Sequence, residues 1–324
     1  MVKSKARPDQ LNLFGQAETP ELPKVGPAQV DPEDRLSAES LHPSIRLGTS
    51  SWGFPGWEGI VYDRKVSQKN LSSEGLQAYS AHPLLRTVGI DRSYYAPVPM
   101  DDFKTYASQV PEHFRFLVKA GQTVVSPREP YGRGRNPLFL NSDWAKDYVV
   151  RPAANGLGNK LGVILFQFPP MVAGSIGGPH GFVDRLENFL GELPSEVKYA
   201  VELRNAEFLT RRYRDVLQKF RVDHCYNVHP TMPTLERQLR VMPVENNQQL
   251  VVRWMLREGL SFESAGKRYA PFNQLLDQDV DVRLTLSALL SRAMKMGKGS
   301  LVIVNNKAEG SSPLSIFALA RMLR

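Results

Sequence analysis

Cysteine is nearly absent from this chain of 324 residues. Cys225 is the only one, so no internal disulfide can form, and a reducing cytoplasm is the expected compartment. It lies in the apolar run VDHCYNV and reads as a small core residue rather than a nucleophile. No apolar run is long enough to span a bilayer, and no signal-peptide core opens the chain, so no membrane association is expected. A GxGxxG turn after the first strand, HExxH, CxxC and GxSxG are all missing. With them go the local signatures of a dinucleotide site, a zinc site and a serine-hydrolase elbow.

Charge is present in excess of one sign. The net charge is +8, but residues 1–44 hold five basic and seven acidic side chains, so the remainder carries +10. A basic folded body is compatible with a polyanionic partner such as nucleic acid.

Residues 1–44 are rich in Pro, Glu, Asp, Gln and Ser without sustained periodicity, and read as a flexible N-terminal tail. One apolar knot interrupts it, Gln10-Leu11-Asn12-Leu13-Phe14. QLNLF resembles the peptide QL(S/D)LF by which bacterial replication and repair proteins dock on the sliding DNA clamp, with Asn12 at the Ser or Asp position. The resemblance implies that Leu13 and Phe14 fill a pocket while Gln10 hydrogen-bonds at its edge. The alternative is an arm that plugs its own domain with the same side chains.

From residue 45 to 324 short β-rich runs alternate with helical segments. The runs are 45–52, 87–95, 115–120, 162–168, 198–205, 222–228, 249–255 and 300–306. Helices are expected around 71–81, 101–109, 142–154, 181–192, 206–219 and 283–296, weakly over 231–245, and from Pro313 onward. Eight strands with intervening helices predict an α/β fold, a (β/α)8 TIM-type barrel; an open doubly wound sheet is the alternative.

Strand parity locates a site. If the more apolar alternate set faces the helices, then Asp91, Lys119, Gln167, Glu202, Arg204 and Arg253 all face the barrel axis at strand C-terminal ends. Barrel enzymes build active sites at that mouth, and desolvated charges contribute little stability to a core. The same rim offers Trp52, Trp57 and Tyr95 for stacking. Loops carrying Arg128, Tyr131, Arg133, Arg135, Arg257, Lys267, Arg268 and Tyr269 mix cations with aromatics, as suits bases and phosphates. The last strand leaves through Asn305, Asn306, Lys307, Ser311 and Ser312 into a helix start at Pro313, where an anion could sit. The sequence names no cofactor. A divalent metal would draw on Asp91, Glu202, His229 and Glu309, whose convergence the sequence does not show.

These motifs together resemble the YecE-like family, domain of unknown function 72. GTSSWGFPGW (48–57), Tyr94-Tyr95 before Pro97, FRFLVKA (114–120), LFQFPP (165–170), ELR (202–204), the VVR of strand seven and NNKAEGSSP (305–313) follow in the family's order. The resemblance implies a TIM-type barrel and brings no activity with it. The chain departs from the family at Gly89 and Asp91, where Glu-x-Asn is common, and at Asn205 and Met255, where many members carry His.

The functional expectation is a DNA-associated hydrolase of the phosphodiesterase or repair type, tethered to the sliding clamp. Glu202, Asp91 and Lys119 would be catalytic. Arg204, Arg253, Gln167 and the residues after the last strand would hold a phosphate-bearing ligand. The alternatives are a non-enzymatic clamp- or nucleic-acid-binding adaptor, and an enzyme acting on a phosphorylated sugar or other small molecule.

Overall fold

The computed structural model describes residues 24–130, 132 and 134–324. The segment Gln10–Phe14, Tyr131 and Arg133 lie outside the described residues.

Eight parallel strands close into one barrel in chain order. They are β1 (Ile45–Thr49), β2 (Leu85–Ile90), β3 (Arg115–Lys119), β4 (Leu161–Gln167), β5 (Tyr199–Glu202), β6 (Asp223–Val228), β7 (Leu250–Trp254) and β8 (Ser300–Val304). The ring is completed by β1 against β8, in register from Ile45–Ser300 to Thr49–Val304. The β1–β2 register slips at Leu47/Gly48, where only glycine fits: a Cβ on Gly48 would stand 1.8 Å from the Thr87 carbonyl oxygen.

Alternation along the strands separates two cores. Val88, Ile90, Phe116, Val118, Ile164, Phe166, Val201, Val252 and Trp254 pack outward against the helices. Leu117, Val163, Leu165, Ala200, Cys225, Val251 and Ile303 fill the barrel interior. Cys225 is thus a buried interior residue, and burial pushes its thiol pKa well up.

The helices are α1 (Pro32–Ser40), α2 (Gln68–Ser80), α3 (Met100–Ser108), α4 (Arg151–Leu157), α5 (Gly178–Gly191), α6 (Arg211–Lys219), α7 (Leu235–Val241), α8 (Phe262–Tyr269), α9 (Val280–Lys295) and α10 (Ser312–Arg321). Shorter helical turns join them. Among the described residues no helix is long and apolar enough to cross a membrane. Helix α8 was not apparent from periodicity, because it is a two-turn segment whose start rests on a Ser261–Ser264 capping box.

The expected tail is corrected from residue 25 onward. Ala28 donates a backbone hydrogen bond to Val61 at 2.9 Å, and α1 begins with Asp31 capping the Glu33 amide at 2.8 Å. The helix then packs on α10, with Arg321 bonded to Asp34 and Arg324 to Ser37. Its buried face is Asp34, Ser37 and Ala38, while Leu36 points to solvent. A helix that buries polar groups against partners 287 residues away leaves no hydrophobic stripe to read.

Candidate active site at the barrel mouth

The interior residues at the strand ends form one ionic floor. Glu202, fully buried at the end of β5, accepts a hydrogen bond from Arg253 Nη1 at 2.7 Å. Its other oxygen is 2.5 Å from Arg204 Nη2, an ion contact without hydrogen-bond alignment. Arg253 Nη2 also lies 3.6 Å from Asp91. Gln167 stands opposite Glu202 in the β4–β5 ladder, and Asn227 stands opposite Arg253 in the β6–β7 ladder.

Burial alone would push the Glu202 pKa up. The two guanidiniums more than reverse this and hold it below the ordinary value, so the group stays a carboxylate. The two arginines respond differently. Burial lowers Arg204, whereas in Arg253 the attraction of Glu202 and Asp91 and the aligned bond to Glu202 overcome burial and raise it. The aligned partner is the better stabilised cation.

Lys119 closes the floor from β3. Its Nζ sits 3.8 Å from the centroid of the Tyr94 ring. Burial pushes its pKa down to about 8; Asp91 resists the shift and Arg253 reinforces it. His229, just beyond β6, is pushed down to about 4 by burial and by the nearby Arg204, so it is neutral near pH 7. Its Nδ1 is 2.9 Å from Thr231 Oγ1.

Several buried polar atoms here lack a hydrogen-bond partner: Arg204 Nη1, Arg253 Nε, Asp91 Oδ1 and Asn227 Oδ1. Unmatched buried donors and acceptors are costly, and at a strand-end rim they mark where a ligand's polar groups would fit. A cleft of about 440 Å³ adjoins the floor through Asn227 and His229. Its lining includes the acids Glu236, Glu258, Asp279 and Asp281.

Other expected site residues lie elsewhere. Trp57 is fully buried between Phe54 and Tyr79, and Trp52 is buried edge-on to Tyr106, so neither presents a face for stacking on a base. The WGFPGW loop is a hydrophobic plug, and Gly56 is needed because a Cβ would meet the Pro271 carbonyl oxygen at 1.7 Å. Tyr95 is 68% exposed beside Tyr94.

The segment after β8 is drawn into a helix cap, with Asn306 Nδ2 and Ser311 Oγ buried and without a partner. Asn306 Oδ1 accepts from both the amide and the hydroxyl of Ser312 at 2.8 Å, which occupies the first donor of α10. Asn305 bonds Ser50 at 2.9 Å, and Lys307 lies 3.7 Å over the Phe262 ring. Ser311 is buried, its carbonyl bonded to Ser315. Glu309 is tied to Arg283 at 2.8 Å and to the Asp279 amide, so it does not join Glu202. Among the described residues no three His, Cys, Asp or Glu side chains converge on a metal position, and Glu202 is already held by two guanidiniums. The donor set expected for a divalent metal therefore does not fit one.

The cations expected in the loop after β7 are neutralised. Arg268 pairs with Asp277, Lys267 with Glu263, and Arg257 approaches Asp279. Tyr269 is buried and donates to Asp277 at 2.6 Å. After β3, Arg128 and Arg135 form an antiparallel bridge and line a 330 Å³ pocket with Arg185; among the described residues no acidic side chain lines it.

Two floor residues, Tyr94 and Asn227, are not among those that strand parity and charge single out. Counting two residues on from the interior Cys225 is the signal that reaches Asn227.

Residues 46–324 match the family described as "Protein of unknown function DUF72". A stretch of 126 residues is 33% identical to the UPF0759 protein YunF of Bacillus subtilis (strain 168); it covers 39% of this chain and 40% of that protein, so the match spans under half of that relative's length. The barrel is similar to the crystal structure of a DUF72 family protein from Thermotoga maritima MSB8, with TM-score 0.62 and 20% identity, covering 86% of this chain and 98% of that one. It is similar also to one from Enterococcus faecalis V583, with TM-score 0.60 and 21% identity over 86% and 95% of the two chains. At such identity the two structures speak for the fold alone. The match over nearly the whole barrel establishes that this chain belongs to the DUF72 family.

Proposed function

We propose that the barrel mouth binds a small molecule bearing one anionic group, a phosphate or a carboxylate, and that the chain acts on it as an enzyme. One observation carries this reading. Among the described residues the carboxylates beside Arg204, Arg253 and Lys119 are Glu202 and Asp91, and Arg204 Nη1 and Arg253 Nε are left without an acceptor. An anion would take those donors and cancel the excess positive charge, in a desolvated setting where both effects are strong.

Glu202 is held too firmly by its arginines to serve as a base; it orients them. Lys119, with its pKa at about 8, is the group suited to proton transfer near neutrality. The acids lining the adjoining cleft favour a ligand whose far end is neutral or cationic.

A second reading is a phosphodiester hydrolase on nucleic acid, with Gln10–Phe14 as the tether to a sliding clamp; an adaptor without turnover would use the same surfaces. It is supported by the +10 charge outside residues 1–44 and by the pocket that Arg128, Arg135 and Arg185 line. The cleft acids count against it.

Calorimetric titration with inorganic phosphate, pyruvate and single-stranded DNA decides between them. The small anions should bind, and Arg204→Gln should weaken them by about tenfold or more, roughly the value of one charged hydrogen bond. DNA binding that survives Arg204→Gln, with no small anion bound, would overturn the first reading in favour of the second.

A further inference from the structure

We infer that Lys119 forms an imine with the carbonyl group of its substrate, a small aldehyde or ketone that also carries a phosphate or carboxylate. This rests on the anion-binding reading above and narrows it to a chemical class.

The geometry singles out this amine. Lys119 ends β3, so its backbone is fixed in the barrel wall, and its carbonyl accepts the Ser93 hydroxyl at 2.6 Å. The Nζ lies against the face of Tyr94, and no carboxylate of the described residues comes within ion-pair distance of it. A ring face holds a cation weakly and takes no nitrogen lone pair, so the deprotonated amine is free to attack. The charged groups that face it are Asp91 beyond β2, Glu202 on β5, Arg204 beyond β5 and Arg253 on β7. The arginines repel its proton and would hold the anionic end of the substrate beside it. Burial adds to that effect, and such a desolvated lysine among cations is the form in which lysine is nucleophilic.

The step balances without any co-reactant. One Nζ proton passes to solvent, and the neutral amine adds to the carbonyl carbon. A second nitrogen proton moves to the resulting oxygen, giving a carbinolamine. A proton returns from solvent to that oxygen as the C–O bond breaks and water leaves. Ammonium and carbonyl become iminium and water, with total charge unchanged.

The test is reductive trapping on the full chain. The protein is incubated near pH 8 with sodium cyanoborohydride and, separately, pyruvate, dihydroxyacetone phosphate, 2-deoxyribose 5-phosphate, uncharged dihydroxyacetone or an abasic oligonucleotide. Adducts are then mapped by peptide mass spectrometry. An adduct on Lys119 is expected from at least one of the three small anionic compounds. It should form about tenfold faster than on exposed Lys69, Lys104 or Lys295, be suppressed by inorganic phosphate, and be weak with dihydroxyacetone. Lys119→Arg should abolish it while keeping the circular dichroism spectrum and melting temperature; if that variant unfolds, phosphate protection of wild-type Lys119 remains the criterion.

Labelling of Lys119 no faster than the exposed lysines overturns the inference, and the anion site survives if calorimetry still shows phosphate or pyruvate bound. If neither binds, both fall. Labelling by the abasic oligonucleotide alone overturns the assignment to a small molecule.

Discussion

Arg253 holds Glu202 at 2.7 Å with one nitrogen and reaches toward Asp91, 3.6 Å away, with another, so one guanidinium joins the ends of β2, β5 and β7. Removing the central carboxylate would leave two buried guanidiniums uncompensated. Glu202→Gln should cost roughly 3–5 kcal/mol in urea unfolding at pH 7, the usual effect of breaking a buried pair from one side. Because the folded-state pKa of Glu202 lies below 4.5, its contribution is fully present above that pH and is lost as pH falls through the folded value. Wild type should therefore lose stability below pH 4.5 faster than the Gln variant. Equal acid sensitivity would show that the carboxylate is not held in this way.

Asp223 is the opposite case, at the other end of the barrel. Burial pushes its pKa from 3.8 up to about 7, although it accepts the Gln248 amide at 2.6 Å and the Gln249 amide at 3.3 Å. Between those values the folded state keeps a proton that the unfolded state has released. Stability should therefore decline as pH rises through the window and level off above about 7. Asp223→Asn should remove the decline. The comparison is made by denaturant titrations from pH 4 to pH 8, and an unchanged slope in the variant would refute it.

Trp57 separates a core role from a stacking role. Trp57→Ala should destabilise by about 3–5 kcal/mol, as large truncations in packed cores do. Ligand titrations below the lowered melting temperature should be unaffected. A stable variant with lost binding would instead return Trp57 to the site.

Asn306 is predicted to be structural as well. Asn306→Ala would strip both 2.8 Å bonds from Ser312 and leave a buried amide unpaired at the start of α10, at a cost of about 1–3 kcal/mol. Thermal melts measure this. Asn306→Asp, which keeps an acceptor, should recover most of the loss.

The barrel was legible because it rests on local, repeated signals: eight β-rich runs, each with an apolar outer set, force one parity on every strand. That parity also carried Glu202, Arg204, Arg253, Asp91 and Lys119 to one rim. The roles of Trp57, Asn306 and Glu309 were not legible, for a shared reason. Each is polar or amphipathic in a loop, where sequence gives no parity, and its role is set by a partner far off in the chain or across a turn, such as Arg283 for Glu309. The cations at 257, 267 and 268 show the same limit, since a charge's partners decide whether it is available.

The clasp of α1 on α10 reaches beyond packing. Residues matched by the family begin at position 46, yet the helix at 32–40 shields Asp34 and Ser37 together with the closing end of the chain. A fragment cut to the shared domain boundary would strand Arg321 and Arg324 without their acceptors and bare the face of α10 that α1 covers. Whoever trims this protein for crystals or assays should start upstream of residue 25, or expect the closing helix to loosen first.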